Sequence, residues 1–143
     1  MPKTASVVSF ASSKGGPGKT TALIVIGDAL AALGKRIVML DADPNGHLSA
    51  WSTLISTPNS NLRVVGRITE EDILDYIREE GREADLVLVD LEGTANNALT
   101  YATSKSDLVV IPAQASAMDL QEAFRAIALL DRASKVIERA IPH

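Results

Sequence analysis

Three glycines, a proline and two lysines stand close together where the chain reads Ser13-Lys14-Gly15-Gly16-Pro17-Gly18-Lys19-Thr20-Thr21. Glycine and proline end regular structure, so this is a shaped loop, and the lysines indicate that it is shaped around an anion. Residues 13–20 fit the phosphate-binding pattern G-x-x-x-x-G-K-[ST], except that Ser13 takes the place of the first glycine, which makes the match a variant. In that chemistry Gly15, Gly16 and Gly18, with Pro17 between them, let backbone N–H groups converge on phosphate oxygens. A helix beginning near Gly18 turns its positive dipole end to the same place. Lys19 then reaches the β- and γ-phosphates, and Thr20 offers its hydroxyl to a magnesium ion. Thr21 either contacts the α-phosphate or caps the helix turn. Without nucleotide, the Lys19 side chain is expected to face a solvent-filled loop. The plain alternative is a glycine-rich connection in some other α/β protein.

Such a loop works only if a strand delivers it and a helix receives it. Residues 7–11, 36–41, 85–90 and 107–112 are short runs rich in Val, Ile and Leu, and residues 62–66 form a weaker one. Continuous apolar runs of this length suit parallel strands covered on both faces. Residues 20–33, almost wholly apolar and followed by Gly34, read as a central buried helix. Residues 69–80 read as a surface helix with Ile73, Leu74 and Ile77 on one side. The eight acids between Glu70 and Asp85, set against Arg78 and Arg82, read as its solvated face. From Ser116 a Ser-x-x-Asp cap opens an amphipathic helix with Leu120, Phe124, Ile127 and Leu130 on its apolar side. The alternation predicts a doubly wound, mainly parallel α/β sheet with helices on both faces.

Residues 1–143 are expected to form one domain, with 46% hydrophobic and 22% charged residues. No apolar run approaches the roughly 18 residues that span a bilayer, and the first ten residues lack the pattern of a signal peptide, so a cytoplasmic location without membrane attachment is expected. Cysteine is absent, which excludes disulfides and thiolate metal sites. A net charge of −4 gives no whole-chain attraction to nucleic acid or anionic lipid, so any such contact needs a local patch.

Lys14 to Thr21 resembles the deviant Walker A motif, K-G-G-x-G-K-[ST], of the ParA/MinD group of ATPases. The resemblance implies a P-loop NTPase fold and makes Lys14 the signature lysine, which crosses an ATP-dependent homodimer to the phosphates of the other subunit. Its physical logic is that of an arginine finger supplied in trans. Residues 38–51 resemble the family's switch I segment. By that resemblance Asp41 helps hold magnesium through water and Asp43 orients the attacking water, although Asp43-Pro44-Asn45-Gly46 is also a strong turn former. Asn45 stands where the family more often has Gln. Residues 85–90 resemble a Walker B strand whose Asp90 binds the magnesium's water shell at the carboxyl end of the sheet. Asp90-Leu91-Glu92-Gly93 is the Asp-x-x-Gly of related switch II loops, in which the Gly93 N–H approaches the γ-phosphate. Glu92 is then either a second water-positioning carboxylate or an exposed loop residue. Pro112, Asp119 and Leu120 carry a further similarity. His47 either senses nucleotide state or is an exposed loop residue, and with no clustered partner it is not a metal site. Trp51 either packs a short helix on the sheet or stacks on adenine.

The resemblance runs from Ser6 to about Ile137, after which family members carry further strands and helices, so the C-terminal part of the family fold is expected to be missing. It implies a magnesium-dependent ATPase that acts as a dimeric switch in plasmid or chromosome partition or in related cargo positioning. A ParB-like activator and non-specific DNA binding through a segment absent here are the implied partners. Two alternatives stay open: a nucleotide-binding interaction protein with little hydrolysis, and an ATP-using metabolic enzyme of the same superfamily. The lack of cysteine argues against a metal-cluster carrier among the latter.

Overall fold

Val, Ile and Leu run through every strand because both faces of the sheet are covered. The computed structural model describes residues 4–12, 18–92 and 97–143. Its strands are β1 (Ser6–Phe10), β2 (Ile37–Ala42), β3 (Leu62–Val65), β4 (Leu86–Leu91) and β5 (Leu108–Val110). Its helices are α1 (Lys19–Ala32), α2 (His47–Leu54), α3 (Ile73–Glu80), α4 (Asn97–Lys105) and α5 (Ala117–Val136). The strands form one sheet in the order β3-β2-β4-β1-β5, and every pairing is parallel. The five expected strands are all present. The helix α4 was not anticipated, because its sequence, Asn97-Ala-Leu-Thr-Tyr-Ala-Thr-Ser-Lys105, is too polar and too short to show a clear apolar period.

Alternate strand residues feed two cores. Ile37, Met39, Leu88 and Phe10 pack with Leu23 and Ala31 of α1 and Leu48 of α2. Val38, Leu40, Val87, Val89 and Val109 pack with Ile73 and Ile77 of α3, Leu99 of α4 and Leu130 of α5. Helices therefore cover both faces, as the alternation of elements requires.

Two helices depart from the expectation drawn from their sequences. The fully buried residues of α1 form one stripe, Lys19, Leu23, Gly27 and Ala31, four residues apart, while Val25 is 61% exposed and Ile26 and the capping Leu33 are exposed as well. It is not a helix buried on all sides: an apolar residue can be buried but need not be, and beyond the stripe facing the sheet Ala22, Ile24 and Leu30 are only partly covered. That stripe sits very close to the sheet, because a Cβ on Gly27 would collide with the Met39 methyl group and touch Leu88. In α5 the cap is as expected, with the Asp119 N–H donating to Ser116 Oγ at 3.1 Å. Its fully buried residues, however, are Ala126, Leu130 and Ala133, whereas Leu120 is exposed and Phe124 is 69% exposed. β5 is only three residues long, so the sheet offers little surface under the first half of this helix.

The connection from β1 crosses to β2 on one side, and that from β4 crosses to β5 on the other. The carboxyl ends of the adjacent strands β1 and β4 therefore flank the topological switch point, where open α/β sheets gather their ligands. At that edge Phe10, Asp90 and Asp41 stand side by side in register.

Candidate functional site

Asp41 and Asp90 lie one residue before the ends of β2 and β4, directly opposite one another and almost wholly buried. Strand pairing thus fixes two carboxylates before any loop is considered. The start of α1 brings a cation to them. Gly18 takes the left-handed conformation (φ 115°) that a residue with a Cβ rarely adopts, and Lys19 and Thr20 follow as the first helical residues.

The Lys19 side chain does not face a solvent-filled loop; it is 4% exposed. Its ammonium donates to Asp90 Oδ1 at 2.5 Å, to Asp43 Oδ2 at 3.3 Å and to the Leu91 carbonyl. The reason is electrostatic, since a charge taken out of water must find opposite charge, and two carboxylates converge within reach of the first turn of α1. Thr20 Oγ1 donates to the other Asp90 oxygen at 2.7 Å. Burial nevertheless raises the Asp90 pKa above its ordinary value. Burial is the largest cause, opposed by the Lys19 charge and by the hydrogen bonds from Lys19 and Thr20, and the neighbouring Asp41 adds a smaller upward push that leaves the net shift upward.

Asp43 does two things at once. Its Oδ2 faces Lys19, while its Oδ1 accepts from the Asn45 N–H at 2.9 Å and from Asn45 Nδ2 at 3.0 Å. The Gly46 N–H closes on the Asp43 carbonyl at 2.9 Å. The turn chemistry of Asp-Pro-Asn-Gly is therefore present together with the charge pairing, and neither excludes the other. Asp41 is tied to the same loop: its Oδ1 accepts from the Asp43 N–H at 3.2 Å, and its Oδ2 accepts from Ser49 N at 2.8 Å and Ser49 Oγ at 2.5 Å. α2 has Gly46 at its N-cap and no side-chain cap of its own, so Asp41 supplies the missing acceptor from the neighbouring strand.

Beyond these residues a cavity of about 540 Å³ opens between the loops after β2 and β3. Asp41, Asp43, Arg67, Glu70 and Glu92 are among the residues that line it. Glu92 is half-buried on this wall, and Thr21 is exposed on α1. His47 is an exposed residue at the start of α2, and Trp51 packs α2 on the sheet, as the first of its two readings had it. Lys14, Gly15, Gly16, Pro17 and Gly93 lie outside the described residues. The acidic stretch is a solvated face with local pairings, Asp75 with Arg78 at 2.5 Å and Glu80 with Arg63 at 3.1 Å.

Sequence reasoning missed Ser49, Gly66 and the Leu91 carbonyl. The only available signal was indirect: a carboxylate ending a buried strand needs donors, and Ser49 stands in the first turn of the helix that follows. Among the described residues no three His, Cys, Asp or Glu side chains converge as a ready-made metal cage. The oxygen donors of Asp90, Asp41 and Thr20 do match the sparse protein ligation of magnesium, which keeps waters and takes phosphate oxygens for the rest of its shell. No helix among the described residues is long and apolar enough to cross a membrane.

A family profile described as VirC1 protein matches residues 5–142. Protein ParA of Rhizobium radiobacter is 37% identical over 137 residues, covering 96% of this chain and 61% of that protein. Against protein virC1 of Rhizobium rhizogenes the share of the relative covered is 52%, so the chain spans little more than half the length of the curated relatives it matches. Among solved structures, apo McdA of Cyanthece superposes with a TM-score of 0.80 at 17% identity, covering 92% of this chain and 67% of that one. A putative plasmid partition protein of Borrelia burgdorferi bound to AMPPNP superposes with a TM-score of 0.75 at 18% identity, covering 98% and 74%. At such identities the likeness is one of fold.

Proposed function

Because the chain belongs to the VirC1 protein family, among the ParA/MinD-type P-loop ATPases, we propose that it binds and hydrolyses ATP with magnesium as an ATP-dependent dimeric switch in DNA partition or a related positioning task. The observation that carries this reading is the convergence of Lys19 and Thr20, at the positive end of α1, on Asp90 and Asp43, with Asp41 in register beside Asp90 at the switch point of the sheet. Support for nucleotide as the ligand comes from the Borrelia neighbour, whose structure holds AMPPNP. Support for a positioning task comes from the names of the relatives, ParA and the maintenance of carboxysome distribution protein A of Synechococcus elongatus.

The chain's own residues divide the work as follows. Lys19 exchanges its carboxylate partners for β- and γ-phosphate oxygens, which a flexible point charge with three donors does readily. Asp43, relieved of that ion pair, is free to orient the attacking water. Thr20, Asp90 and Asp41 hold magnesium, directly or through its waters, and the ion when bound neutralises charge on the transferring phosphoryl group. Lys14 offsets charge on the partner's nucleotide, and the backbone of residues 15–18 and Gly93 cradles the phosphates.

The test is steady-state phosphate release by the chain with ATP, with and without magnesium, and with and without DNA and a ParB-like protein. Magnesium-dependent release supports the reading. Nucleotide binding without release under any of these conditions replaces it with a nucleotide-gated interaction protein.

A further inference from the structure

Gly66 follows β3 and has no need of glycine's conformational freedom, since its φ does not lie in the left-handed region. What it provides is space. A Cβ built on Gly66 would stand 2.5 Å from Ser49 Oγ and 3.4 Å from Ser49 Cβ, so any other residue would drive the hydroxyl aside. That hydroxyl donates to Asp41 Oδ2 at 2.5 Å, beside the Ser49 N–H at 2.8 Å. On the other side of the same junction the Ile68 N–H donates to the Asp41 carbonyl at 3.1 Å. The segment leaving β3 thus grips Asp41 through its own backbone and, across the gap at Gly66, supports the serine that aims its carboxylate.

We propose that Ser49, seated against the bare Cα of Gly66, is a positioning residue that fixes the Asp41 carboxylate for magnesium held with nucleotide. The inference rests on the reading of Asp41 given above. Two donors on Oδ2 pin that oxygen, whereas Oδ1, among the described residues, accepts one longer bond, from the Asp43 N–H at 3.2 Å, and so has capacity to spare. Without the Ser49 hydroxyl the carboxylate keeps its helix-capping bond from the Ser49 N–H but gains a rotational freedom that a hard, geometrically demanding ion does not tolerate. Partners that orient a metal ligand in this way typically carry about 10- to 100-fold in metal affinity or activity.

Binding of a fluorescent ATP analogue to the full 143-residue chain is titrated with magnesium in wild type, Ser49→Ala, Gly66→Ala and the double variant, with a thermal melt of each nucleotide-free protein. Ser49→Ala is expected to raise the magnesium concentration for half-maximal binding by about 10-fold or more. Gly66→Ala, which leaves Ser49 in place but displaces its hydroxyl, is expected to do the same. In the Ser49→Ala background Gly66→Ala is expected to add little, because the atom it displaces is gone. A lowered melting temperature with an unchanged magnesium midpoint in Ser49→Ala makes the serine merely structural and overturns the proposal. So does a Gly66→Ala effect that adds in full. Should Ser49→Ala fail to fold, Gly66→Ala alone decides by the same midpoint. If wild type binds the analogue equally well without magnesium, the reading of Asp41 as a metal-holding residue falls, a failure visible in wild type alone and separate from the comparison of the variants.

Discussion

Lys19 is a buried cation whose partners are the very carboxylates that the proposed reaction needs. Lys19→Ala is therefore expected to do more than abolish ATP binding: it strands Asp90 and Asp43 in a low-dielectric site, and breaking a buried pair costs on the order of 3–5 kcal/mol. The pH dependence follows from the raised pKa of Asp90, with burial as the first cause. A carboxyl whose pKa is higher in the folded than in the unfolded chain holds a proton in the folded state that the unfolded state releases. Its contribution therefore declines as pH rises from the ordinary carboxylate value through the raised one. Removing Lys19, which draws that pKa down, widens the window, so the melting deficit of Lys19→Ala is expected to shrink on acidification as Asp90 protonates. A deficit constant between neutral and mildly acidic pH, measured by thermal melts, would show that Asp90 is not its source. Asp43→Asn separates the two tasks of that residue: the amide oxygen still accepts from Asn45, but the charge is lost. Turnover should fall by about 100-fold with nucleotide affinity nearly kept, and an equal loss of both in paired titration and steady-state assays would make Asp43 a metal or structural residue instead.

At the scale of the elements, α5 offers the sharpest contrast, because two of its large apolar residues with the same helical spacing have opposite fates. Leu130 is 1% exposed and Phe124 69% exposed. Leu130→Ala should cost about 2–5 kcal/mol of unfolding free energy through lost burial and an unfilled cavity, while Phe124→Ser should stay within about 0.5 kcal/mol of wild type. Urea unfolding midpoints of the two variants check this, and comparable losses would mean that the first half of α5 is covered in solution. α1 holds the same lesson in its glycine. Gly27 lets a helix rich in apolar residues come down on Met39 and Leu88, and Lys19 lies two turns earlier on the same buried stripe.

For the whole molecule, the sheet order rather than any single loop gathers the site. β4 is inserted between β2 and β1, so residues separated by about fifty positions, Asp41 and Asp90, become neighbours in register. Dimerisation also belongs to this scale. As a proposal, Lys14 acts on the partner's phosphates. Lys14→Ala should then weaken turnover and ATP-dependent dimerisation together, while sparing nucleotide binding by the monomer more than Lys19→Ala does. Activity per chain, followed across a dilution series, should rise with concentration in wild type. Constant activity per chain through the monomer–dimer transition would sink the assignment.

The sequence alone was enough for the class of fold and for most of the residues at the sheet edge. Buried parallel strands leave an unmistakable apolar run, and Asp at the end of two such runs with Gly-Lys-Thr after a third marks the strand ends at which the fold brings these residues together. It also sufficed for the α5 cap, a purely local interaction between Ser116 and Asp119. Tertiary structure decided what no local pattern encodes. The composition of α1 and α5 shows that they have apolar surface, but which side is covered depends on the length and order of strands elsewhere in the chain. The ion pairing of Lys19 depends on β4 lying beside β1, and the roles of Ser49 and Gly66 depend on three segments meeting at Asp41. Hydrogen bonds and close contacts act over about 3 Å, so such partnerships exist only once the fold has brought distant residues within that range.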